Sequence, residues 1–446
     1  MKRISWIAVL LWCVQASFAQ GPLTLEESRR LALRNNGLLK NSALETEAAS
    51  EVRKAAFTKY FPSVSASGFA FDAQKPLMET TTAGGNLPVY DGNPANLPAA
   101  TQFAYFPSTT TGVFKSATTG MINVVQPVFA GGRIANGNRL AALGVDAGEN
   151  RVLLTRNDVL LKTEEQYWLI VTLDEKLKTL RAYETLLDSL LRRVEAAYAS
   201  GLVLKNDVLK VRIKRSEVLV NRAKAENGRK LTAMAFCQHI GVSADPAIAL
   251  QDPLTIEAPP ESIHVDAAEA IKTRPEFKLL QTSVRAEKLQ SRLKLGEYLP
   301  EVGVGVSGMY LKSDTAKGRT FGLVYGTVSI PLSGLWEASH AMGERRLREQ
   351  IAQNSLKTSS EYLLLQMEKA WQDLTDAYRQ VQLCQEAKAQ TDENLKVSQD
   401  SYDSGMIAVS DLLEAQALRQ RADDQGTEAM AAYRVKWVTY LQVTGR

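Results

Sequence analysis

The chain repeats itself, and that repeat constrains its fold more than any other feature. The segment KYFPSVSASGFAF (59–71) matches EYLPEVGVGVSGMY (297–310) at an offset of 238, which also carries NNGLLK (35–40) onto TRPEFK (273–278). Farther along, VVQPVFAGG (124–132) matches VSIPLSGLW (328–336) at an offset of 204. The second offset holds to the end. AYASGLVLKNDVL (197–209) falls on SYDSGMIAVSDLL (401–413), and Gly241 falls on Gly445. Matches of this length and order mean two copies of one structural unit, residues 20–250 and 251–446. The copies differ almost wholly in an extra stretch of about 34 residues between Asp72 and Thr118. It is rich in Thr, Gly, Pro and Asn, which predicts a loop rather than a packed element.

Each copy has the same order of elements. A helix of about 35 residues (25–59, 263–297) ends at Phe61-Pro62 or Leu299-Pro300, because proline holds the residue before it in extended geometry. Strands are predicted at about 63–71 and 119–129, and at about 301–311 and 320–330. Long helices follow, at about 134–200 and 207–240 in the first copy and about 335–404 and 411–443 in the second. No proline occurs between Pro127 and Pro246 or after Pro331. Leu180, Tyr183, Leu187, Leu190 and Val194 step by three and four, as do Leu364, Met367, Trp371, Leu374, Tyr378 and Val381. That spacing is a coiled-coil seam. At 1.5 Å per residue, the stretch 134–200 predicts roughly 100 Å of helix.

A soluble coiled-coil scaffold would explain the helices but not the strands. In the third strand Val302, Val304, Val306 and Tyr310 share one face, while Gly303, Gly305 and Ser307 take the other. In the fourth, Gly322, Val324, Gly326, Val328 and Ile330 alternate with Phe321, Leu323, Tyr325, Thr327 and Ser329. Strands of about 9–11 residues, apolar outward and small or polar inward, suit a tilted outer-membrane barrel. The competing reading is a soluble sandwich edge. If the strands do enter lipid, counting applies. One chain offers four, known membrane barrels need about eight or more, and open edges are not tolerated in a bilayer. The barrel must then be shared between chains.

The N-terminus agrees with export. Lys2 and Arg3 precede an apolar run from Ile4 to Val14, and Ser17 and Ala19 supply the small residues that signal peptidase requires. This is a signal peptide (1–19) with cleavage expected after Ala19. Lipidation at Cys13 is disfavoured because Trp12 stands where a small residue is needed. Beyond the signal no apolar run reaches the length of a membrane helix. Cys237 and Cys384 are far apart in sequence and in no CxxC pattern, which argues against a disulfide framework or a zinc site. The 53 Lys and Arg are interspersed with 49 Asp and Glu, so nothing argues for nucleic acid. An enzyme has little support either. The histidines, His239, His264 and His340, stand in no HExxH, and there is no GxSxG or P-loop. His239, near a helix end, reads as a satisfied or dipole-compensating residue. Gly131-Gly132 reads as a sharp strand-to-helix turn. No cofactor or metal is expected.

The layout resembles the TolC-type family of outer-membrane efflux proteins over essentially the whole mature chain. The resemblance rests on LTLEESRRLALRNN (23–36), the paired FPSV and LPEV strand starts, and the QPVFAGGR and IPLSGLW strand ends. Two tip sequences complete it, each Tyr-x-x-Gly followed six residues later by Asp. One departure is Gly37, where first copies of the family usually have proline, while the second copy keeps Pro275. The resemblance implies an α plus membrane-β fold. A homotrimer would share a twelve-stranded barrel in outer-membrane lipid, and its long antiparallel coiled-coil helices would form a periplasmic tunnel. It implies a passive duct for efflux or type I protein secretion. A periplasmic adaptor (membrane fusion) protein would link it to an inner-membrane transporter of RND or ABC type.

It also implies sites. Family members dock the adaptor at the helical tips, which points to Tyr198, Gly201, Leu202, Tyr402, Gly405 and Met406. The glycines are equally explained by the turn itself. Acids at the second tip ring the periplasmic mouth in some relatives, which points to Asp411 and Glu414, with Asp207 their first-copy counterpart. The alternative is a capping box with Asp411 as N-cap and Glu414 three residues on. Lys210 replaces the second acid in the first copy, and Ile407 stands where some relatives place a basic residue that helps lock the entrance.

Overall fold

The computed structural model describes residues 22–256 and 258–446. The signal segment, with the cleavage site after Ala19 and with Cys13, lies outside them. The chain divides into two compact units.

Among the described residues, the first unit comprises 22–49, 144–256, 258–284 and 351–446. Helix α1 (Leu25–Asn35) opens on Thr24, whose hydroxyl accepts the Glu27 amide at 3.2 Å. Helix α2 (Gly37–Phe57) begins two residues after α1 ends. The single helix expected over 25–59 is therefore broken at Asn36. Asn36 takes φ −58° and ψ 128°, and its side chain accepts the Leu38 amide at 2.9 Å while donating to the His239 carbonyl at 2.9 Å. The expected helix over 263–297 is broken likewise. A short helix α5 (Ala267–Ala270) is followed by an extended Arg274, φ −64° and ψ 132°, before α6 (Pro275–Glu297). There the cause is Pro275. At Asn36 no proline is present, and side-chain hydrogen bonds impose the same geometry.

Helices α3 (Arg133–Ala199), α4 (Lys205–Ile240), α7 (Gly334–Asp403) and α8 (Val409–Val443) are the long elements, with 67, 36, 70 and 35 residues. Their three-and-four stripes face inward. Leu180, Tyr183, Leu187, Leu190 and Val194 are all buried, as are Met367, Leu374 and Val381, with Leu364, Trp371 and Tyr378 packed at the margin. A second set of rings locks the C-terminal end of α4 against the middle of α3. Tyr167 and Trp168 meet edge-to-face at 5.3 Å, Tyr167 lies 6.1 Å from Phe236, and the Tyr167 hydroxyl reaches the Asp252 carboxylate at 2.9 Å. His239 is held by Val159 O at 3.0 Å and Thr163 Oγ1 at 3.2 Å.

The second unit comprises residues 50–143 and 285–350. Its main sheet contains β1 (Ser63–Asp72), β6 (Ser116–Ala130), β7 (Glu301–Ser313) and β8 (Arg319–Ser329). The order is β1-β6-β7-β8, antiparallel throughout, so β1 and β8 each have one unpaired edge. Directly paired residues share a face. Val64 and Val124 lie with Val306 and Val324 on one side. Ser65, Asn123 and Ser307 lie on the other, where the Tyr325 hydroxyl donates to Asn123 at 2.6 Å. That second face turns apolar toward the β7–β8 loop, at Met121, Met309 and Phe321.

The stretch between β1 and β6 corrects the expectation of a loop. It contains β2 (Met78–Thr82) paired with β5 (Thr109–Val113), and β3 (Gly85–Pro88) paired with β4 (Phe103–Phe106). Its threonines are β-branched residues that favour strands, and Thr81 and Thr110 hydrogen-bond across the ladder at 3.0 Å. At the far end of β6, Gly131 and Gly132 have φ of 61° and 75° and turn the chain into α3. A Cβ on Gly131 would sit 2.2 Å from the Gly296 carbonyl oxygen, so the turn admits no side chain.

Candidate functional site: the helical tips

The end of the first unit where α3 meets α4 and α7 meets α8 holds the residues expected for docking and for the entrance: Tyr198, Gly201, Leu202, Asp207, Tyr402, Gly405, Met406, Asp411 and Glu414. The two turns are built alike. Gly201 and Gly405 both have φ of 73°. The Gly201 amide donates to Tyr198 O at 3.0 Å and the Leu202 amide to Ala197 O at 2.9 Å. The matching bonds from Gly405 to Tyr402 O and Met406 to Ser401 O are 2.9 and 2.8 Å. This pair of bonds is the Schellman ending of a helix, which needs a left-handed residue at that position. A Cβ at either glycine would meet nothing within 4 Å, so backbone conformation alone accounts for the residue type.

One apolar cluster joins the two tips. Leu187, Leu190 and Val194 of α3 pack with Val208 and Val211 of α4 and with Val409, Leu412 and Leu413 of α8, and Tyr402 leans on them. Burial pushes the Tyr402 phenol above its ordinary range; Arg193 opposes this, and Asp207 and Asp403 add to it. Arg193 and Asp403 form an ion pair of 3.0 Å from α3 to α7. Sequence reading missed that pair, and no local signal could have shown it. Tyr198 is exposed, while Leu202 and Met406 leave 79% and 73% of their surface open.

The acids separate by environment. Asp207 sits in the first turn of α4 and is paired with Lys210 at 3.2 Å. Asp411 is not the N-cap expected of it. Helix α8 starts after Ala408, and Asp411 stands three residues on, where its carboxylate accepts the Ala408 amide at 3.3 Å. Alanine offers no side-chain acceptor in return, so only half of a capping box forms. Glu414 is the sixth residue of α8, in its second turn, and is exposed. Among the described residues neither Asp411 nor Glu414 has an ion-pair partner. No cluster of His, Cys, Asp or Glu suited to a metal occurs among the described residues.

Comparison with solved structures places this architecture. Over 94% of its length the chain superposes on the Campylobacter jejuni CmeC outer membrane channel, covering 85% of that protein, with a TM-score of 0.76 and 15% identity. It superposes on the outer membrane protein VceC of Vibrio cholerae with a TM-score of 0.74 and 13% identity, covering 94% of this chain and 96% of VceC. The Neisseria gonorrhoeae MtrE outer membrane channel gives 0.74 at 12% identity, with 94% and 88% covered. At such identities the similarity is one of fold, and the fold is that of the TolC-type outer-membrane channels. No protein-family model matches the sequence, and no curated protein matches it either.

Proposed function

We propose that the protein is an outer-membrane channel, the passive duct of a tripartite export system. In this reading substrates arrive from an inner-membrane pump through a periplasmic adaptor, and the chain itself does no chemistry. The observation that carries the reading is a four-stranded sheet with unpaired β1 and β8 edges, on a fold shared with outer-membrane channels. No helix among the described residues is long and apolar enough to cross a membrane. If the chain spans the bilayer, the sheet must do it, and open edges in lipid are prohibitive. Three copies would close a twelve-stranded barrel, with β1 of one chain against β8 of the next. The ribbons between β1 and β6 would then lie outside the cell, where barrel loops are long.

Adaptor docking belongs to the tips, with the open side chains of Leu202 and Met406 as its apolar contacts and Tyr198 and Tyr402 beside them. Asp411 and Glu414, free of ion pairs, would ring the periplasmic entrance in the trimer and favour cations. Asp207, already neutralised by Lys210, contributes less to that field.

Fractionation tests the main reading. The mature protein should be recovered from outer membranes as a detergent-extractable trimer. Recovery as a soluble periplasmic protein would instead establish a coiled-coil scaffold. Single-channel recording tests the entrance: Asp411→Asn with Glu414→Gln should reduce cation selectivity, and an unchanged channel would leave Asp411 only its capping bond. Whether the cargo is a small molecule or a secreted protein follows from which of the two a deletion strain fails to export.

A further inference from the structure

One face of the main sheet changes character along its length. The row Ser65, Asn123, Ser307 and Leu323 is mainly polar, whereas the next toward the β7–β8 loop, Ser67, Met121, Met309 and Phe321, is mainly apolar. The row beyond it adds Phe69 and Leu311, beside Thr119 and Arg319, and Arg319 is the one charged residue of the three rows. Met121, Phe321 and Phe69 leave 41%, 45% and 63% of their surface open. Burial shows which way the face looks. Along β7, Gly303, Gly305 and Ser313 are buried and Ser307, Met309 and Leu311 half-buried, while Val304, Val306, Gly308 and Tyr310 on the opposite face are exposed. Side chains on the concave side of a curved sheet converge and shield one another. The Tyr325 ring does so, lying across Gly305 to reach Asn123. The face carrying Met309 and Phe321 is therefore the concave one.

We propose that Phe69, Met121, Met309, Leu311 and Phe321, repeated in each copy of the chain, form an apolar band inside the barrel, toward its β7–β8 end, that binds the apolar bodies of passing cargo. Such a band presupposes the outer-membrane duct proposed above and supplies a determinant of its specificity. In a barrel closed by further copies the concave face lines the lumen, so lipid does not cover it. Barrel interiors of this type are ordinarily polar, and an exposed apolar patch rimmed by polar residues marks a place where something apolar binds. Hydrocarbon seated on the band leaves water and gains accordingly, whereas a small ion gains nothing there. The serines and Asn123 of the neighbouring row offer no such contact. Amphiphiles should consequently dwell at the band longer than polar solutes of the same charge.

The full mature protein is reconstituted in planar bilayers, and block of its single-channel current is measured with butyl-, hexyl- and octyltrimethylammonium. The head group is constant, so its repulsion from Arg319 and its attraction to acids elsewhere are common to the series. Block should strengthen at least five-fold from butyl to octyl. Met309→Gln with Phe321→Thr should reduce that gain to less than two-fold, while Val306→Thr on the convex face should leave it as in the parent. Should the double variant fail to assemble, Met121→Gln alone should weaken octyl block at least two-fold. A parent without chain-length dependence, a variant that keeps the parent's dependence, or equal flattening by Val306→Thr would overturn the band while leaving the duct intact. A parent that assembles no conducting channel would instead overturn the duct, and the band with it.

Discussion

Single residues in this protein carry effects that depend on burial more than on type. Tyr183 and Tyr433 are both held near a phenol pKa of about 12, chiefly by burial. Glu217 adds to the shift at Tyr183, and Tyr378 and Glu261 add at Tyr433 against the pull of Arg434. In the unfolded chain each would titrate near 10. Between pH 10 and 12 the unfolded state therefore loses protons that the folded state keeps, and stability falls as pH rises through that window. Below pH 10 the two residues contribute no slope. Denaturation midpoints measured from pH 9 to 12 should fall, and Tyr183→Phe with Tyr433→Phe should flatten the decline. A decline of equal steepness in the double variant would assign it to other groups.

Among the elements, the break between α1 and α2 shows how one backbone geometry arises from two chemistries. Arg274 is extended because a proline follows it, whereas Asn36 is extended because its own side chain caps α2 and reaches His239. Gly37 occupies the first position of α2, where proline is favoured, and a Cβ there would meet nothing within 4 Å. Gly37→Pro should consequently stabilise the protein, by about 0.4–1 kcal/mol, through a less flexible unfolded chain. Thermal unfolding measures this, and a lower midpoint would refute the assignment. The seam makes the opposite case. Leu187 is fully buried among residues of three helices, so Leu187→Ala should cost about 2–5 kcal/mol. The long helices were legible because the three-and-four spacing at 180–194 and 364–381 sits in long stretches without proline. The break at Asn36 was not, since no proline marks it. The ribbons between β1 and β6 were hidden for a related reason. Their Gly, Pro and Asn residues signal turns, and strands of four or five residues are too short to show alternation.

For the whole molecule the question is which face of the sheet meets lipid. The register groups Val304, Val306, Val324 and Val328 on one side, exposed at 49%, 54%, 78% and 69%. Ser65, Asn123 and Ser307 lie on the other. If the valine side is the outer surface of a shared barrel, Val306→Arg, near the middle of β7, should cost about 2–4 kcal/mol, while Ser65→Arg should be tolerated. The yield of membrane-assembled protein compares them. Equal losses from both substitutions would argue against a lipid-facing valine surface.

The sequence by itself determined much of the local structure: the long helices, the four strands of the main sheet, and where glycine must reverse the chain, at Gly201 and Gly405 above all. Those properties depend on neighbours a few residues away, and period and turn chemistry record them directly. Only the tertiary structure decided which elements meet. It set β6 beside β7, so that strands from the two halves of the sequence form one sheet, and it joined the tips through Arg193 and Asp403. It also brought Met121, Met309 and Phe321 into one row across three strands. Long-range pairings of this kind arise from the packing of whole faces. A residue on a strand carries no mark in the sequence of which residue will lie beside it.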